Sequence, residues 1–136
     1  TCAVALTGEA LTAEVCERTN GRGADVVIVA VGDLALANQA LELAAIGGRV
    51  NYFAGFPKGK TASIDPNLIH YRELAVTGGS NARRADVRRA VELLSSGALD
   101  VGRLVTHRFP LAELDAAVTA VARRDGLKVV VMPAAG

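Results

Sequence analysis

Residues 24–31 read Ala-Asp-Val-Val-Ile-Val-Ala-Val, an almost unbroken β-branched run. A half-solvated strand would alternate apolar with polar residues. This run does not, so it predicts a strand covered on both faces, as in a parallel sheet sandwiched between helices. The flanking sequence extends that reading. Cys2 to Leu6 is strand-like, and Glu9 to Thr19 has helical spacing with Leu11 and Val15 on one face. Asp33 is placed to cap a helix whose Ala37, Ala40, Leu41 and Ala44 form an apolar stripe, with Gly47-Gly48 as its stop. Arg49 to Phe53 and Leu74 to Thr77 are further strands. Asn81 heads a helix with Val87, Ala90, Val91 and Leu94 inward and Gly97 at its end. After Val101 to Phe109, Pro110 opens a helix carrying Leu111, Leu114, Val118 and Val121. Gly126 ends that helix before a last strand, Leu127 to Met132. Repeated alternation of strand and helix predicts an α/β fold.

Composition narrows the function more than the fold. Fifteen Lys and Arg stand against fourteen Asp and Glu, for a net charge of +1. The basic residues lie mostly beside acidic ones, so no stripe suits nucleic acid and no polybasic patch suits a membrane surface. The apolar runs are strand-sized, well short of the ~20 residues that span a bilayer. Cys2 and Cys16 form no CxxC pair and no disulfide framework, which makes a reducing cytoplasm the expected compartment. The chain opens on Thr1 in apolar sequence, as expected of a processed, cleaved or excised product.

In open parallel sheets, ligands bind outside the carboxyl ends of the strands. Three such ends carry small residues: Val31-Gly32-Asp33, Phe53-Ala54-Gly55-Phe56 and Thr77-Gly78-Gly79-Ser80. A glycine at a strand end is ordinarily a terminator, but three on one edge favour a binding crevice. Gly21 to Val26 does not complete GxGxxG, and it precedes a strand instead of opening a helix. Ala54 to Thr61 fits a relaxed phosphate-loop pattern after a strand. That chemistry needs a helix starting at Lys60-Thr61, and the sequence beyond reads as an extended piece ending in a turn at Pro66. Cys2, Cys16, His70 and His107 lack metal-ligand spacing. No serine sits in a nucleophile elbow and no carboxylates pair for acid–base work. Taken alone, the residues give a ligand edge without catalytic groups.

Five phrases together carry a resemblance. GRGADVVIVAVG (21–32), ALELAAIGGRVNYFAGFP (40–57), NLIHYRELAVTG (67–78), LVTHRFPL (104–111) and GLKVVV (126–131) resemble, in order and spacing, the C-terminal part of medium-chain zinc-dependent alcohol and polyol dehydrogenases, in particular the sorbitol dehydrogenase-like branch. The resemblance implies the second half of a Rossmann-type, doubly wound parallel sheet over residues 1–100. Residues 101–136 would return toward an absent catalytic domain. It implies hydride transfer between a secondary alcohol and NAD(P), with zinc polarising the alcohol oxygen. Ala30 and Val31 would line the adenosine-ribose side of the crevice. Phe53, Ala54 and Gly55 would meet the nicotinamide end, Gly78, Gly79 and Ser80 would close it, and Lys128 would reach the pyrophosphate.

The departures are equally specific. The family's glycine fingerprint, its ribose-binding acidic residue and its zinc ligands all fall upstream of Thr1. No catalytic or metal residue is therefore assigned here, and the isolated chain is expected to be inactive. Val29 also occupies a position where the family often has an acidic residue. The strand Leu74 to Thr77 would lie at a sheet edge through which family members form homo-oligomers. Two other readings stand beside this one: a nucleotide-binding loop at Ala54–Thr61, and a non-catalytic dimerisation module.

Overall fold

A computed structural model of the chain describes residues 2–133. Contacts divide the chain into two compact units, Thr1–Asn81 and Ala82–Gly136.

The first unit is a three-stranded parallel sheet in the order β1 (Ala24–Val29), β2 (Ala44–Tyr52), β3 (Ala75–Gly78). It is preceded by α1 (Gly8–Arg18), and its crossovers carry α2 (Leu36–Leu43) and α3 (Pro66–Tyr71). The two crossover helices start beside aspartates. Asp33 Oδ1 accepts the Ala35 N–H at 2.9 Å ahead of α2, and Asp65 Oδ1 accepts the Asn67 N–H at 2.9 Å at the head of α3. Pro66 at the first position of α3 costs no helix hydrogen bond, because that N–H has no intrahelical partner.

The stop of α2 differs from the expectation. Gly47-Gly48 do not end the helix; they lie inside β2, where the register with β1 jumps between Ala24/Ala44 and Val26/Arg49. Gly47, at φ 72°, takes the left-handed turn of this bulge. The helix ends earlier, at Leu43, where the Arg72 guanidinium donates to the carbonyls of Glu42 at 2.8 Å and Ala44 at 3.1 Å. A cation over the last carbonyls satisfies groups that the helix itself leaves orphaned.

Leu41 and Val50 are fully buried and sit at the centre of the core with Val29, Ala40, Ala44 and Leu74. Val27, Leu36, Tyr52, Phe56, Leu68, Ile69 and Val76 pack around them. Side chains from α2 and α3 thus share one sheet face with alternate residues of the strands. The opposite face is open: Val26 is 58% and Ile28 62% exposed. The β-branched run is therefore not covered on both sides, which corrects the sequence reading. Both crossover helices fall on the same face, and one face of a doubly wound sheet is what this unit supplies. Cys2 to Leu6 forms no strand either. It is exposed, and among the described residues no strand pairs with it.

The second unit has α4 (Arg84–Ser95), then β4 (Val105–Pro110), α5 (Leu114–Arg123) and β5 (Lys128–Met132), with β4 and β5 parallel. Asn81 does not cap α4. It lies at φ 59°, and the helix begins at Arg84, where the Asp86 carboxylate accepts the Arg83 N–H at 2.9 Å. The expected inner face of α4 is uncovered, since Val87, Val91 and Leu94 are all exposed. The strand expected from Val101 starts only at Val105, because a 3-10 turn occupies Gly102–Leu104 with Asp100 accepting the Gly102 N–H. Pro110 closes β4, and a second 3-10 turn at Leu111–Glu113 separates it from α5. On α5 the small residues Ala117 and Ala120 are buried, whereas Leu114, Val118 and Val121 remain exposed, as does Leu111 in the turn before it. A two-stranded sheet is narrow, and the alanines let the helix lie close to it while the larger side chains flank the contact.

Candidate functional site

Three parallel strands put three carboxyl ends on one edge, and the chain beyond each end is stitched to its neighbour. The Val29 carbonyl accepts the Phe53 N–H at 3.1 Å and the Ala54 N–H at 3.0 Å. The Tyr52 carbonyl accepts the Gly79 N–H at 3.3 Å. In register, Val29 lies beside Tyr52 and Tyr52 beside Gly78. Ala30 and Val31, Phe53 to Gly55, and Gly78 to Ser80 therefore form a continuous row along the edge.

Close approach sets the shape of this row. A Cβ on Gly32 would lie 2.2 Å from the Gly55 carbonyl oxygen, so the first two connections touch backbone to backbone. On the outer side the row is open. Nothing lies within 4 Å of a Cβ built on Gly55 or Gly79, and Phe53 is 66% exposed. Ala30, Val31, Gly78 and Ser80 are exposed as well, while Ala54 is half-buried. None of these side chains is charged. The row can take an apolar ring or a backbone-bonding amide; it offers no ionisable group, and its one hydroxyl is that of Ser80.

The hydroxyl of Tyr52, which the sequence reading passed over, donates to the Ala37 carbonyl in α2 at 2.6 Å. Its ring meets Phe56 edge-on, centroids 5.8 Å apart. Burial pushes the Tyr52 phenol above its usual range. The available signal was a lone tyrosine in an aliphatic strand, since a buried phenol needs a partner for its O–H.

The phosphate-loop segment does not fold as that chemistry requires. Lys60 N–H closes a turn onto the Pro57 carbonyl at 3.1 Å, and the next helix begins only at Pro66. No set of backbone amides is aimed from a helix at Lys60-Thr61.

Lys128 lies in the second unit, exposed at the start of β5 and paired in register with Val105. The neighbouring Thr106 hydroxyl is a junction: it donates to the Lys128 carbonyl at 3.3 Å and accepts the Leu127 N–H at 3.1 Å. The His107 Nδ1 lies 3.1 Å from the same oxygen, and the ring stacks on Phe109 at 6.2 Å. A Cβ on Gly126 would sit 2.2 Å from Thr106 Oγ1. Thr106 thus ties β4 to β5 and the segment before it, while the His107 ring is engaged by its β4 neighbours Thr106 and Phe109. His70 is exposed against Tyr71, and among the described residues no three His, Cys, Asp or Glu side chains gather into a metal-binding group. The donor set in hand does not fit a zinc ion.

Residues 2–96 match the zinc-binding dehydrogenase family. The chain is 33% identical over 116 residues to an L-threonine 3-dehydrogenase of Bacillus licheniformis, covering 85% of this chain and 33% of that protein. It is 29% identical over 119 residues to a sorbitol dehydrogenase of Halalkalibacterium halodurans, covering 88% of this chain and 34% of that one. A Sinorhizobium meliloti 1021 protein solved with NADP bound superposes with a TM-score of 0.74 at 33% identity, over 82% of this chain and 32% of that one. The chain spans about a third of the length of the curated relatives it matches. On its fold, its strand-end row and these matches, this chain belongs to the zinc-binding dehydrogenase family.

Proposed function

We propose that the chain is the cofactor-binding C-terminal portion of an NAD(P)-linked, zinc-dependent oxidoreductase that interconverts a secondary alcohol, of the polyol or sugar-alcohol class, and its ketone. The observation that carries this reading is the row of three strand ends, locked at Gly32–Gly55 and open outward at Gly55 and Gly79. Ala30 and Val31 line the adenosine-ribose side, where small apolar side chains leave room for a ribose. Phe53, Ala54 and Gly55 border the nicotinamide end and offer ring surface and open backbone. Gly78, Gly79 and Ser80 close that end, where Gly79 exposes a backbone that a side chain would screen. Lys128 supplies a charge-assisted hydrogen bond to the pyrophosphate. The nicotinamide group, when bound, exchanges the hydride with the alcohol carbon.

These residues bind, orient and exclude water; none moves a proton at the reacting carbon. Zinc belongs to the proposed whole protein, and no step through it is derived from this chain. In terms of role, residues 1–100 form the cofactor half and 101–136 the return segment. The compartment we propose is the cytoplasm. The class of alcohol rests on resemblance alone, since relatives of nearly equal identity are named for a threonine and a sorbitol activity.

The test has two arms. The whole protein reduces NAD or NADP with polyols and loses that activity to a chelator. The 136-residue chain shows no turnover with or without added zinc; zinc-dependent turnover by the chain alone would overturn the reading.

A second reading, assembly, is favoured by one observation: among the described residues β3 is an edge strand, paired with β2 alone. An unpaired edge invites a second copy related by a two-fold axis. Light scattering should show a dimer that Val76→Pro converts to a monomer. An unchanged mass would remove β3 from the interface.

A further inference from the structure

We infer that Tyr52 is a positioning residue that fixes the spacing of all three strand-end connections against one another. The inference rests on the cofactor reading above. Tyr52 is the last residue of the central strand, and it touches each connection by a different group. Its hydroxyl donates to the Ala37 carbonyl, on the first turn of the helix that follows β1. Its ring packs edge-on against Phe56, which lies in the connection following β2. Its carbonyl accepts the Gly79 N–H in the connection following β3.

The carbonyl link would survive any side chain at this position, and the ring contact any aromatic one. The hydroxyl link would not. An aliphatic residue, the usual occupant of a central parallel strand, would fill the core around Val29 and Val50 equally well. It would leave the first turn of α2 without its hydrogen bond to the central strand. Because the connection from β1 enters α2 through Gly32 and Asp33, and Gly32 rests on the Gly55 carbonyl, a shift of α2 is transmitted to the Phe53–Gly55 backbone. Tyr52 does not itself face the open row. It acts through Phe53, Ala54 and Gly55.

The test compares NADH and NADPH binding to the whole protein, followed by quenching of nicotinamide fluorescence, in wild type and Tyr52→Phe. The substitution removes one oxygen and keeps the ring against Phe56. For the preferred cofactor, Kd and KM should rise about five-fold, the loss of one hydrogen bond of ordinary net strength. The KM for the alcohol and kcat at saturating cofactor should stay within two-fold. Leu68→Ala serves as the control, because it loosens the same core without touching a strand end. It should lower the melting temperature at least as much and leave cofactor affinity unchanged. Equal affinity in Tyr52→Phe and wild type sinks the inference, as does a matching loss in Leu68→Ala, which would make Tyr52 merely structural. Failure of the wild type to bind either dinucleotide sinks instead the cofactor reading on which the inference depends.

Discussion

Gly32→Ala isolates the contact that shapes the strand-end row. The backbone at Gly32 carries no positive φ, so alanine is allowed there and only space is at issue. The added methyl would sit 2.2 Å from the Gly55 carbonyl oxygen, whereas an ordinary contact begins near 3.4 Å. The two connections must part by about 1.2 Å, the difference of those distances. They cannot part freely, because the Ala54 N–H and Phe53 N–H are both held by the Val29 carbonyl. Overpacking of this kind costs about 1–3 kcal/mol, and the lower entropy of the unfolded alanine chain returns about 0.4–1 kcal/mol. A net loss near 1–2 kcal/mol corresponds to a fall of roughly 4–16 °C in Tm for a unit of this size. Thermal and urea unfolding followed by circular dichroism reads that change. Gly55→Ala is the matched control: its methyl meets nothing within 4 Å, so stability should stay within ~0.5 kcal/mol of wild type. An unchanged midpoint for Gly32→Ala would show that the connections separate at no cost. Equal destabilisation by Gly55→Ala would show that the steric argument is wrong.

Three further outcomes are expected. Leu41→Ala removes a fully buried side chain at the centre of the first core, and urea unfolding should register a loss of about 2–5 kcal/mol. Arg72→Ala leaves the carbonyls at the end of α2 without their cation, and should cost about 1–2 kcal/mol, with faster amide exchange at the end of α2 as the local signature. Burial raises the Tyr52 pKa above 10.0, so the folded state favours the neutral phenol. That stabilisation is present below pH 10 and is lost as pH rises through the folded value. The stability gap between wild type and Tyr52→Phe should therefore shrink on alkaline titration, and a gap that widens above pH 10 would contradict the burial argument.

The alternation of apolar strands with helices was legible because periodicity is local, whereas two terminal signals misled: Asn81 does not cap α4 and Gly47-Gly48 do not stop α2. Asp33 and the β-branched run needed no tertiary knowledge. The strand-end residues were legible for a related reason: in a parallel sheet, topology alone assigns all carboxyl ends to one edge. Tyr52 was not legible, since its role depends on which carbonyl stands above it, and Ala37 lies in another element. Gly32 was visible as a strand-end glycine, but its partner, Gly55, became known only when the two connections met. The segment LVTHRFPL illustrates the limit from the other side. Its histidine and threonine suggest chemistry, yet the strand pairing engages Thr106 with Leu127 and Lys128 and stacks His107 on Phe109.

Sequence by itself determined the α/β class, the alternation of helices and strands beyond residue 8 and the three small-residue strand ends. These follow from side-chain period, capping chemistry and spacing, all of which act within a few residues. Tertiary structure alone decided which faces are covered. A hydrophobic run states that burial is favourable but not what performs it. Val26 and Ile28 are as apolar as Val29 and Val50, yet they stay exposed, because α2 and α3 pack on one side of the sheet; in the second unit Val87, Val91 and Val118 are exposed while Ala117 and Ala120 are buried. Burial is a property of pairs of surfaces, and a single segment carries only one of them.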